Sequence, residues 1–515
     1  MSSTISKLPT QDQDAAKPAE RARRAEPKIA ILGAGMSGLC MAIQLKKAQF
    51  SHFAIYEKAD NVGGTWRDNV YPGVACDVPS HLYSFSFARN PDWSEAFSGG
   101  AEIQAYCERV TEQYGLAPHL QYGKEAKEAT YDNGQWHIRF ADGSQEVADA
   151  VVSALGGLHH PSIPEFEGRD SFKGASFHSA QWRKDVPLKG KRIAIVGSAA
   201  SAVQIVPEIA PLAKSLTIYQ RTPNWIFPRE NFHYSRVSRW LFRRFPFLTL
   251  VKRFLLYLRA EVLIFPAFKE NSRAQERFRK LAMDHMEELV PDEALRRKLT
   301  PAYPVGCKRV LFIDRYYESL QLPQVTLETD PIARITPQGI QTQNGQEQEA
   351  DVIIYATGFK PFEFLDAFVV RGAGGKSLAQ QWKDRVETHR TVAVAGFPNF
   401  FMLLGPNSGL GHNSVIIMIE AQVRYIVGCL KAIRAQGLRW LAPKREEEKA
   451  FNRNLREGFR GSVWAGSCMS WYKKADGENS TLWPWSTIRY RREMAAPKLS
   501  EYESDRNEDL RDAAE

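Results

Sequence analysis

The sequence predicts an α/β fold with two nucleotide-binding units and a mostly helical insertion. Two glycine-containing turns indicate the units, because each turn follows a short apolar strand and precedes an apolar stretch with helical spacing. The first turn lies in KIAILGAGMSGLC and the second in KRIAIVGSAASAV. Between residues 230 and 305 this alternation stops, and basic and aromatic residues at helical spacing replace it.

Composition indicates an ordinary globular protein. The 515 residues include 43% hydrophobic and 25% charged positions, and the net charge of +9 suits either an anionic partner or simply a basic surface. The six cysteines form no CxxC pair. We therefore expect no zinc site, no disulfide scaffold, and reduced thiols in a cytoplasmic protein.

The two ends of the chain are polar. Residues 1–27 lack the apolar core of a secretory signal, and residues 501–515 have a similar polar character. We expect both ends to be disordered tails. No run of about 18 apolar residues is present, so no bilayer-spanning segment is expected.

The first turn has the features of a Rossmann-like dinucleotide site. Gly33 allows a tight turn, Gly35 lets the backbone approach a diphosphate, and Gly38 lets the helix pack closely on the strand. Glu57 ends the next apolar strand, 24 positions after Gly33, where a carboxylate can accept hydrogen bonds from a ribose. This pattern predicts a dinucleotide with a free ribose.

The second turn repeats the plan with one informative change. The strand Arg192–Val196 precedes Gly197, Ala199 and Ala202, so alanine replaces two of the three glycines. Arg221 lies 24 positions after Gly197, where the first unit has its acid. A guanidinium there would bind the 2′-phosphate of NADP, which a carboxylate would repel. FAD at the first turn and NADPH at the second is the economical assignment.

Two further strand exits mark where the chain crosses between the units. The strand Val352–Tyr355 leads into Thr357 and Gly358, and VVSALGGL at residues 151–158 is an earlier counterpart. These crossings predict the domain boundaries. They are 28–158 with 396–500 for FAD, 159–229 with 306–395 for NADPH, and 230–305 for the helical insertion.

The insertion begins with an amphipathic, basic stretch. Its apolar positions have helical spacing, its arginines form a second face, and Pro246 is expected to end or kink the first helix. Such a helix can lie on an anionic membrane surface. Packing over the NADPH unit and a substrate cleft is the favoured expectation, and membrane contact is the less favoured one. The apolar positions are Val237, Trp240, Leu241, Phe245 and Leu248, and the basic ones are Arg236, Arg239 and Arg243.

Two stretches carry a family resemblance. FKGASFHSAQW resembles the pattern F-x-G-x-x-x-H-x-x-x-W through Phe172, Gly174, His178 and Trp182, and GGTWRDNVYPGVACD at residues 63–77 resembles a second motif. Both are typical of the type I Baeyer–Villiger monooxygenases, class B flavoproteins that the chain resembles over about residues 28–490. That family usually has proline or aspartate where this chain has Arg183.

The resemblance implies a reaction. NADPH would reduce FAD, O2 would add to form a peroxyflavin, and one oxygen atom would be inserted beside a ketone carbonyl to give an ester or lactone. The resemblance further implies that Arg309 is the cation over the flavin, that Asp77 orients it, and that His178 supports the domain junction.

The expected site residues otherwise bind cofactor. A hydrophobic ketone and O2 are the expected partners, with no metal and no nucleic acid. Besides Gly33, Gly35, Gly38 and Glu57, the flavin residues are expected to be Gly64, Thr65, Trp66, Tyr71 and Asp77. The expected NADPH residues are Gly197, Ser198, Ala199, Ser201, Arg221, Thr222, Lys308, Thr357 and Gly358. Trp471, Trp483 and Trp485 are candidates for the pocket wall.

Three alternative functions use parts of the same pattern. A nitrogen- or sulfur-oxygenating monooxygenase would use the same cofactors, but Trp182, Arg309 and Asp77 favour ketone oxidation. A flavin disulfide reductase needs a closely spaced redox cysteine pair, which the sequence lacks. A plain NADPH dehydrogenase needs no such pair and therefore stays an alternative. A peripheral membrane or nucleic-acid-binding protein with a vestigial nucleotide fold is the third.

Overall fold

The computed structural model describes residues 26–360, 367–466, 468, 470, 472–473 and 477–505. Its first unit is built on a five-stranded parallel sheet whose strands are short and apolar. The strand Ile29–Leu32 lies in the middle and is fully buried. In order across the sheet, the strands are Phe400–Met402, Ala150–Ser153, Ile29–Leu32, Phe53–Tyr56 and Leu120–Gln121. Burial on both faces explains why these strands are almost continuously apolar.

The second unit repeats this architecture. Its central strand Arg192–Val196 pairs in parallel with Ser215–Tyr219 on one side and Val352–Tyr355 on the other. In order across the sheet, the strands are Val325–Glu328, Ser215–Tyr219, Arg192–Val196, Val352–Tyr355 and Ala175–His178. The predicted α/β class with two similar units is therefore confirmed, and the bounds predicted for Arg192–Val196 and Val352–Tyr355 are those observed.

Smaller sheets and helices complete the units. A four-stranded sheet comprises Val369–Arg371, Ala126–Asp132, Gln135–Phe140 and Gln145–Ala148, and a three-stranded antiparallel sheet comprises Ile332–Ile335, Gly339–Thr342 and Glu347–Glu349. Two-stranded pairs join Ile226–Phe227 with Leu311–Phe312 and Leu441–Pro443 with Tyr502–Ser504. The α-helices outside the insertion are Met36–Lys47, Thr65–Asp68, Gly100–Gln113, Ala200–Ile209, Tyr316–Ser319, Leu378–Gln381, Val415–Gln436, Arg445–Gly458 and Thr487–Glu493.

One domain boundary differs from the prediction. The strand Val369–Arg371 pairs with Ala126–Asp132, and Phe368, Leu378 and Trp382 pack in the core beneath the first sheet. The chain therefore returns to the first unit before residue 369, not at residue 396. The predicted boundary is wrong because it followed the glycine- and proline-rich stretch at 396, whereas the chain returns through a short strand that precedes the glycine-containing turn at residues 372–375.

The insertion is helical, but its apolar stripe is not packed as expected. Its helices are Arg236–Arg244, Phe247–Arg259, Arg273–Leu289 and Glu293–Leu299, with short helical turns at Ala260–Ile264 and Phe265–Phe268. Pro246 separates the first two helices, as predicted. No residue of Arg236–Arg244 is buried, so the favoured expectation of a packed stripe is wrong. None of the helices in the described part of the chain is long and apolar enough to cross a membrane.

Both predicted tails are shorter than expected where the structure describes them. Glu26 accepts a hydrogen bond from the Ser51 hydroxyl at 2.8 Å, and residues 1–25 lie outside the described part. At the other end, Tyr502–Ser504 forms a strand against Leu441–Pro443, and Tyr502 is buried in the main core. Residues 501–505, which were predicted to belong to the tail, are therefore part of the described fold.

The cysteines also depart from the expectation of reduced thiols. Cys307 and Cys468 form a disulfide across 161 residues of sequence, with their Cα atoms 6.4 Å apart. Cys40, Cys76, Cys107 and Cys429 are free and buried. Sequence spacing could not indicate this pair, because a long-range cross-link has no local pattern. The bond ties the turn before Arg309 to the C-terminal region.

We expect the disulfide to stabilise the fold. Dithiothreitol should lower the Tm of the wild-type protein. The cross-link constrains the unfolded chain and so contributes about 2–4 kcal/mol to the free energy of unfolding. The Cys307→Ser/Cys468→Ser variant should have a similarly low Tm with or without dithiothreitol. Alkylation of the unfolded, unreduced protein followed by mass spectrometry should label four cysteines, and labelling of all six would contradict the cross-link.

Candidate active site and cofactor cradles

The first glycine turn forms a cradle that side chains would fill. Gly33 has a φ of +103°, and a Cβ atom there would lie 2.7 Å from the Ala154 carbonyl oxygen. A Cβ on Gly38 would lie 1.9 Å from the Gly33 carbonyl oxygen, so the helix could not approach the strand. By contrast, a Cβ on Gly35 would meet only the Gly64 Cα, at 3.8 Å. Gly35 and Gly64 thus border open space, which fits a diphosphate at the start of Met36–Lys47.

Glu57 is held at the end of the neighbouring strand by three donors. Its Oε2 accepts from the Ala34 N–H at 2.8 Å, and its Oε1 accepts from the Ala59 N–H at 3.1 Å and from Arg67 Nη1 at 3.0 Å. The carboxylate is buried and therefore fixed beside the glycine turn. This is the placement predicted for a ribose-binding acid.

The second turn is built in the same way. Gly197 has a φ of +110°, and a Cβ there would lie 2.4 Å from the Ala356 carbonyl oxygen. Ala199 caps the helix Ala200–Ile209, and Ser201 lies in its first turn. The Ser198 hydroxyl donates to the Thr222 carbonyl oxygen at 3.2 Å, which joins the turn to the end of the next strand. Alanine at 199 and 202 is tolerated here because Ala202 fits a fully buried position.

A basic cavity lies beside Arg221. It has a volume of about 500 Å³ and is lined by Gln220, Arg221, Pro223, Ala294, Arg297, Lys298, Thr300 and Thr329. Burial, and then the positive charge of Arg221, lower the pKa of the Lys308 ammonium. The Lys308 ammonium lies 4.7 Å from the centroid of the Tyr303 ring, and its part in binding phosphate stays a prediction. Sequence reasoning missed Arg297 and Lys298, because they belong to the insertion and reach the cavity only through tertiary packing.

The loop after Gly64 joins the two units. Tyr71 is buried and donates to Gln204 Oε1 at 2.9 Å, on the helix Ala200–Ile209 of the second unit. Gln204 Nε2 in turn donates to the Ala75 carbonyl oxygen at 3.0 Å. A Cβ on Gly73 would lie 2.4 Å from the Gln204 carbonyl oxygen, so the loop lies directly on that helix. Tyr71, predicted to contact a cofactor, here contacts the other unit.

Thr65 and Trp66 lie at the start of this loop. Thr65 is the first residue of the short helix Thr65–Asp68, and Gly64 is its N-cap residue. Trp66 is partly buried, and its indole N–H donates to the Tyr83 hydroxyl at 3.1 Å. The helix therefore follows the open cradle bordered by Gly35 and Gly64.

Asp77 and Arg309 form an ion pair between the units. Arg309 Nη2 lies 2.7 Å from both oxygens of the Asp77 carboxylate, and Nε lies 3.1 Å from Oδ2. The Asp77 charge raises the pKa of Arg309 against the opposing effect of burial. The side chains of Arg309 and Asp77 are 39% and 19% exposed, so the pair is only partly shielded from solvent. The structure thus brings together two residues 232 positions apart, as predicted.

The C-terminal region contributes a tyrosine that sequence reasoning missed. Tyr472 is buried, and burial raises its pKa to about 12, with Arg309 lowering it and Asp77 raising it. Trp483 instead lies in the core against Tyr490, and Trp485 packs under the Arg489 guanidinium at 3.6 Å. Trp471 lies outside the described residues. The tryptophan-rich C-terminal stretch has no local pattern that would have identified Tyr472 as a site residue.

His178 is a buried residue of the second sheet. It pairs with Tyr355 at the edge strand, and its Nδ1 accepts from the Ala180 N–H at 3.1 Å. Burial lowers its pKa, with the Gly358 backbone opposing, which favours the neutral form of the imidazole. Among the described residues, its recorded contacts are to this junction and not to Asp77 or Arg309.

The other residues of that motif have structural explanations. A Cβ on Gly174 would lie 2.4 Å from the Asp351 carbonyl oxygen, and Trp182 packs edge-on against Phe177 at 5.2 Å. Arg183, where the family usually has proline or aspartate, is exposed and forms an ion pair with Asp185 at 2.5 Å. This difference from the family pattern at Arg183 therefore lies on the surface.

Thr357 and Gly358 mark the crossing between the units. The Thr357 hydroxyl donates to the Ser162 carbonyl oxygen at 2.5 Å, and the Ser162 N–H donates back to the Gly358 carbonyl oxygen at 2.8 Å. Gly358 has a φ of +88° and open space around it. The two chain segments that cross between the units are thus hydrogen-bonded to each other beside His178.

Comparison with known proteins gives a consistent family. The model of the flavin-binding monooxygenase-like family matches residues 26–435. The chain is 42% identical over 480 residues to a Baeyer-Villiger monooxygenase of Streptomyces coelicolor, which covers 92% of each chain. It is 43% identical over 470 residues to a Baeyer-Villiger monooxygenase of Pseudomonas aeruginosa, which covers 90% of this chain and 89% of that one.

The fold also matches a solved structure with both dinucleotides bound. The protein OTEMO, in complex with FAD and NADP, superposes with a TM-score of 0.84 at 25% identity. The match covers 93% of this chain and 99% of that one. The two glycine turns described above lie within the matched family region, so the similarity includes both cradles.

The open space at Gly35 permits a test that separates folding from cofactor binding. Gly35→Ala should leave the Tm of the apoprotein unchanged, because the backbone φ of −74° suits alanine and only Gly64 lies nearby. The same methyl group should fill the cradle and weaken FAD binding about tenfold or more, as measured by fluorescence titration. The matched variant Gly38→Ala should lower the Tm. Undiminished FAD affinity in Gly35→Ala would contradict the cradle.

Proposed function

Because the chain belongs to the flavin-binding monooxygenase-like family, we propose that it is an FAD- and NADPH-dependent Baeyer–Villiger monooxygenase. It inserts one oxygen atom of O2 beside a ketone carbonyl and produces an ester or lactone. The observation that carries this proposal is the bidentate pair of Arg309 and Asp77, which fixes a cation between two dinucleotide cradles. Bound FAD, once reduced by NADPH, would react with O2 and supply the activated oxygen atom.

In this proposal Arg309 stabilises developing negative charge. Oxygen insertion places negative charge on the ketone oxygen, and a fixed cation stabilises such charge more than solvent does. Asp77 engages two nitrogens of the guanidinium and so fixes its plane. The remaining exposed surface of Arg309 is then available to the substrate. Asp77 thus acts through Arg309 and is a positioning residue.

We assign the NADPH preference to the basic cavity at Arg221. Arg221, Arg297 and Lys298 line it, and Lys308 lies close enough to feel the charge of Arg221. A 2′-phosphate would bring two negative charges to this cluster, and arginine binds phosphate bidentately. The Ser198–Thr222 bond holds the adjoining turn in place.

We assign His178 a positioning role. Its neutral, buried imidazole accepts a backbone N–H and lies beside the crossing segment of Thr357 and Gly358. Such a group holds the two units in register without exchanging protons. The family resemblance gave the same role.

A hydrophobic ketone fits the surroundings of the ion pair. The rings of Phe268 and Trp464 stack with centroids 5.0 Å apart, and the Trp464 indole N–H donates to the Gly306 carbonyl oxygen at 3.0 Å. Phe268 and Trp464 are both buried, so the environment of Gly306, three residues before Arg309, is apolar. The cytoplasmic location stays a prediction, and the disulfide weighs against the thiol argument for it.

Arg309 provides the test of the reaction. Arg309→Ala should bind FAD normally but form ester about 10²–10³-fold more slowly, as expected when a fixed charge opposite a developing oxyanion is lost. The assay incubates purified holoenzyme with NADPH, O2 and aliphatic, cyclic and aryl ketones, and measures esters by gas chromatography. Arg279→Ala, an exposed arginine paired with Glu276, is the matched control and should retain wild-type rates.

The same assay distinguishes the competing reactions. A thioether is included beside the ketones, and wild-type enzyme that oxidises it while forming no ester would favour a sulfur-oxygenating enzyme. NADPH consumption that yields only hydrogen peroxide with every substrate would leave an oxidase. Ester formation by Arg309→Ala at the wild-type rate would contradict the role given to this residue.

Arg221 provides an independent test of cofactor selection. Arg221→Ala should raise the KM for NADPH about 10–100-fold and leave the KM for NADH nearly unchanged, because only NADPH carries the phosphate. Steady-state rates with both nucleotides give this comparison. Arg334→Ala is the matched control, since Arg334 is an exposed arginine of the same unit that bonds Gln341. Equal loss with both nucleotides would contradict phosphate recognition.

A further inference from the structure

The helix Phe247–Arg259 is oriented with its apolar face outward. Six large apolar residues occur at the spacing i, i+3, i+4, i+7, i+8 and i+11, which places them on one face. Their exposed fractions lie between 41% and 59%. A helix on the surface of a globular protein normally buries this face. The six residues are Phe247, Leu250, Val251, Phe254, Leu255 and Leu258.

The opposite, polar face of this helix is fixed to the protein. Arg253 is buried, and its Nη1 donates to the carbonyl oxygens of His81, Leu82 and Ser84 at 3.1, 3.1 and 2.7 Å. Two turns further on, Glu261 is also buried and accepts from Asn413 Nδ2 at 2.8 Å. The orientation is therefore held by specific hydrogen bonds, and the helix cannot rotate to cover its apolar face without breaking them.

The apolar face extends into the elements on either side. Val237 and Trp240 in the preceding helix and Val262 and Leu263 in the following turn are all more than half exposed. In the described part of the chain 18 large apolar residues are exposed, and eleven of them lie between residues 237 and 263. We call this surface, residues 237–263, the apolar patch. A contiguous patch of this kind marks an interaction site.

The charged residues of the segment 231–260 are all basic, and one of them, Arg243, forms an ion pair with Asp92 from outside the segment. Residues 231–260 contain seven basic residues and no acidic residue. Arg253 is buried, and the other six lie beside the apolar residues in the sequence. Of these, Arg236, Arg244 and Arg259 are exposed. Amphipathic helices that lie in a membrane interface combine an apolar face, aromatic residues and flanking basic residues in this way.

We propose that the apolar patch binds the surface of an anionic phospholipid bilayer, with its helices lying in the headgroup region. The apolar side chains enter the acyl boundary, and the arginines and lysine contact phosphate groups. A second copy of the chain is the weaker fit, because a two-fold contact would bring the same six basic residues, those other than the buried Arg253, against each other. This inference is independent of the proposed reaction.

Vesicle flotation of the full-length holoenzyme tests the proposal. We expect at least about tenfold more protein bound to vesicles of phosphatidylcholine and phosphatidylglycerol at 3:1 than to pure phosphatidylcholine. Binding should fall strongly between 50 and 500 mM NaCl, since headgroup attraction is screened. No binding to either vesicle would overturn the proposal.

Paired variants locate the contact. Phe254→Ser/Leu255→Ser should lower binding about tenfold or more, and both positions are exposed, so flavin content and Tm should be retained. Leu281→Ser is the matched control, because Leu281 is 50% exposed on the helix Arg273–Leu289 and lies outside the apolar patch. Equal binding of both variants would overturn the assignment to this patch.

Analytical ultracentrifugation distinguishes the alternative occupant. If the wild-type protein formed a dimer that Phe254→Ser/Leu255→Ser dissolved, and neither protein bound vesicles, the patch would be an interface between copies and the proposal would be wrong. A wild-type protein whose mass in solution does not depend on residues 254 and 255, together with vesicle binding, would support it.

Discussion

The site depends on one ion pair that neither unit could make alone. Asp77 ends the loop that leaves the first glycine cradle, and Arg309 lies on the second unit. Their bidentate contact forms only while the units stay docked. The docking is provided nearby by Tyr71 and Gln204, and by the close approach of Gly73 to the helix Ala200–Ile209. A change in the relative position of the units would therefore alter the direction of the guanidinium before it altered either cradle.

The local features of this arrangement were predictable from the sequence. A glycine turn between a strand and a helix is specified within about a dozen residues. In the structure Gly33 and Gly197 have positive φ, and each lies close to the carbonyl of the residue that follows a neighbouring strand, Ala154 or Ala356. The pairing of Asp77 with Arg309 was also expected, but only through the family resemblance. No spacing argument relates residues 232 positions apart. The roles given to these residues stay proposals until the variants are measured.

The features that were missed depend on contacts between distant segments. The strand Val369–Arg371 joins the first unit through pairing with residues 128–130, and Tyr502–Ser504 completes a ladder with residues 441–443. The disulfide of Cys307 and Cys468 and the burial of Tyr472, whose pKa responds to the charge of Arg309, arise in the same way. Short strands and single side chains carry too little local pattern to reveal such partners. Trp483 shows the converse, since a conspicuous residue type occupies an ordinary core position.

The orientation of the helix Phe247–Arg259 also could not be predicted from the local sequence. Its periodicity predicts two faces but not which of them points inward, and the usual rule would bury the leucines. Here Arg253 decides the matter, because a buried guanidinium is stable only when its donors are satisfied, and three carbonyl oxygens of residues 81–84 satisfy them. Those carbonyls lie in the segment that follows Asp77. The loop that positions the ion pair thus also holds the helix with its apolar face turned outward, so that the site and the apolar patch are supported by one stretch of chain.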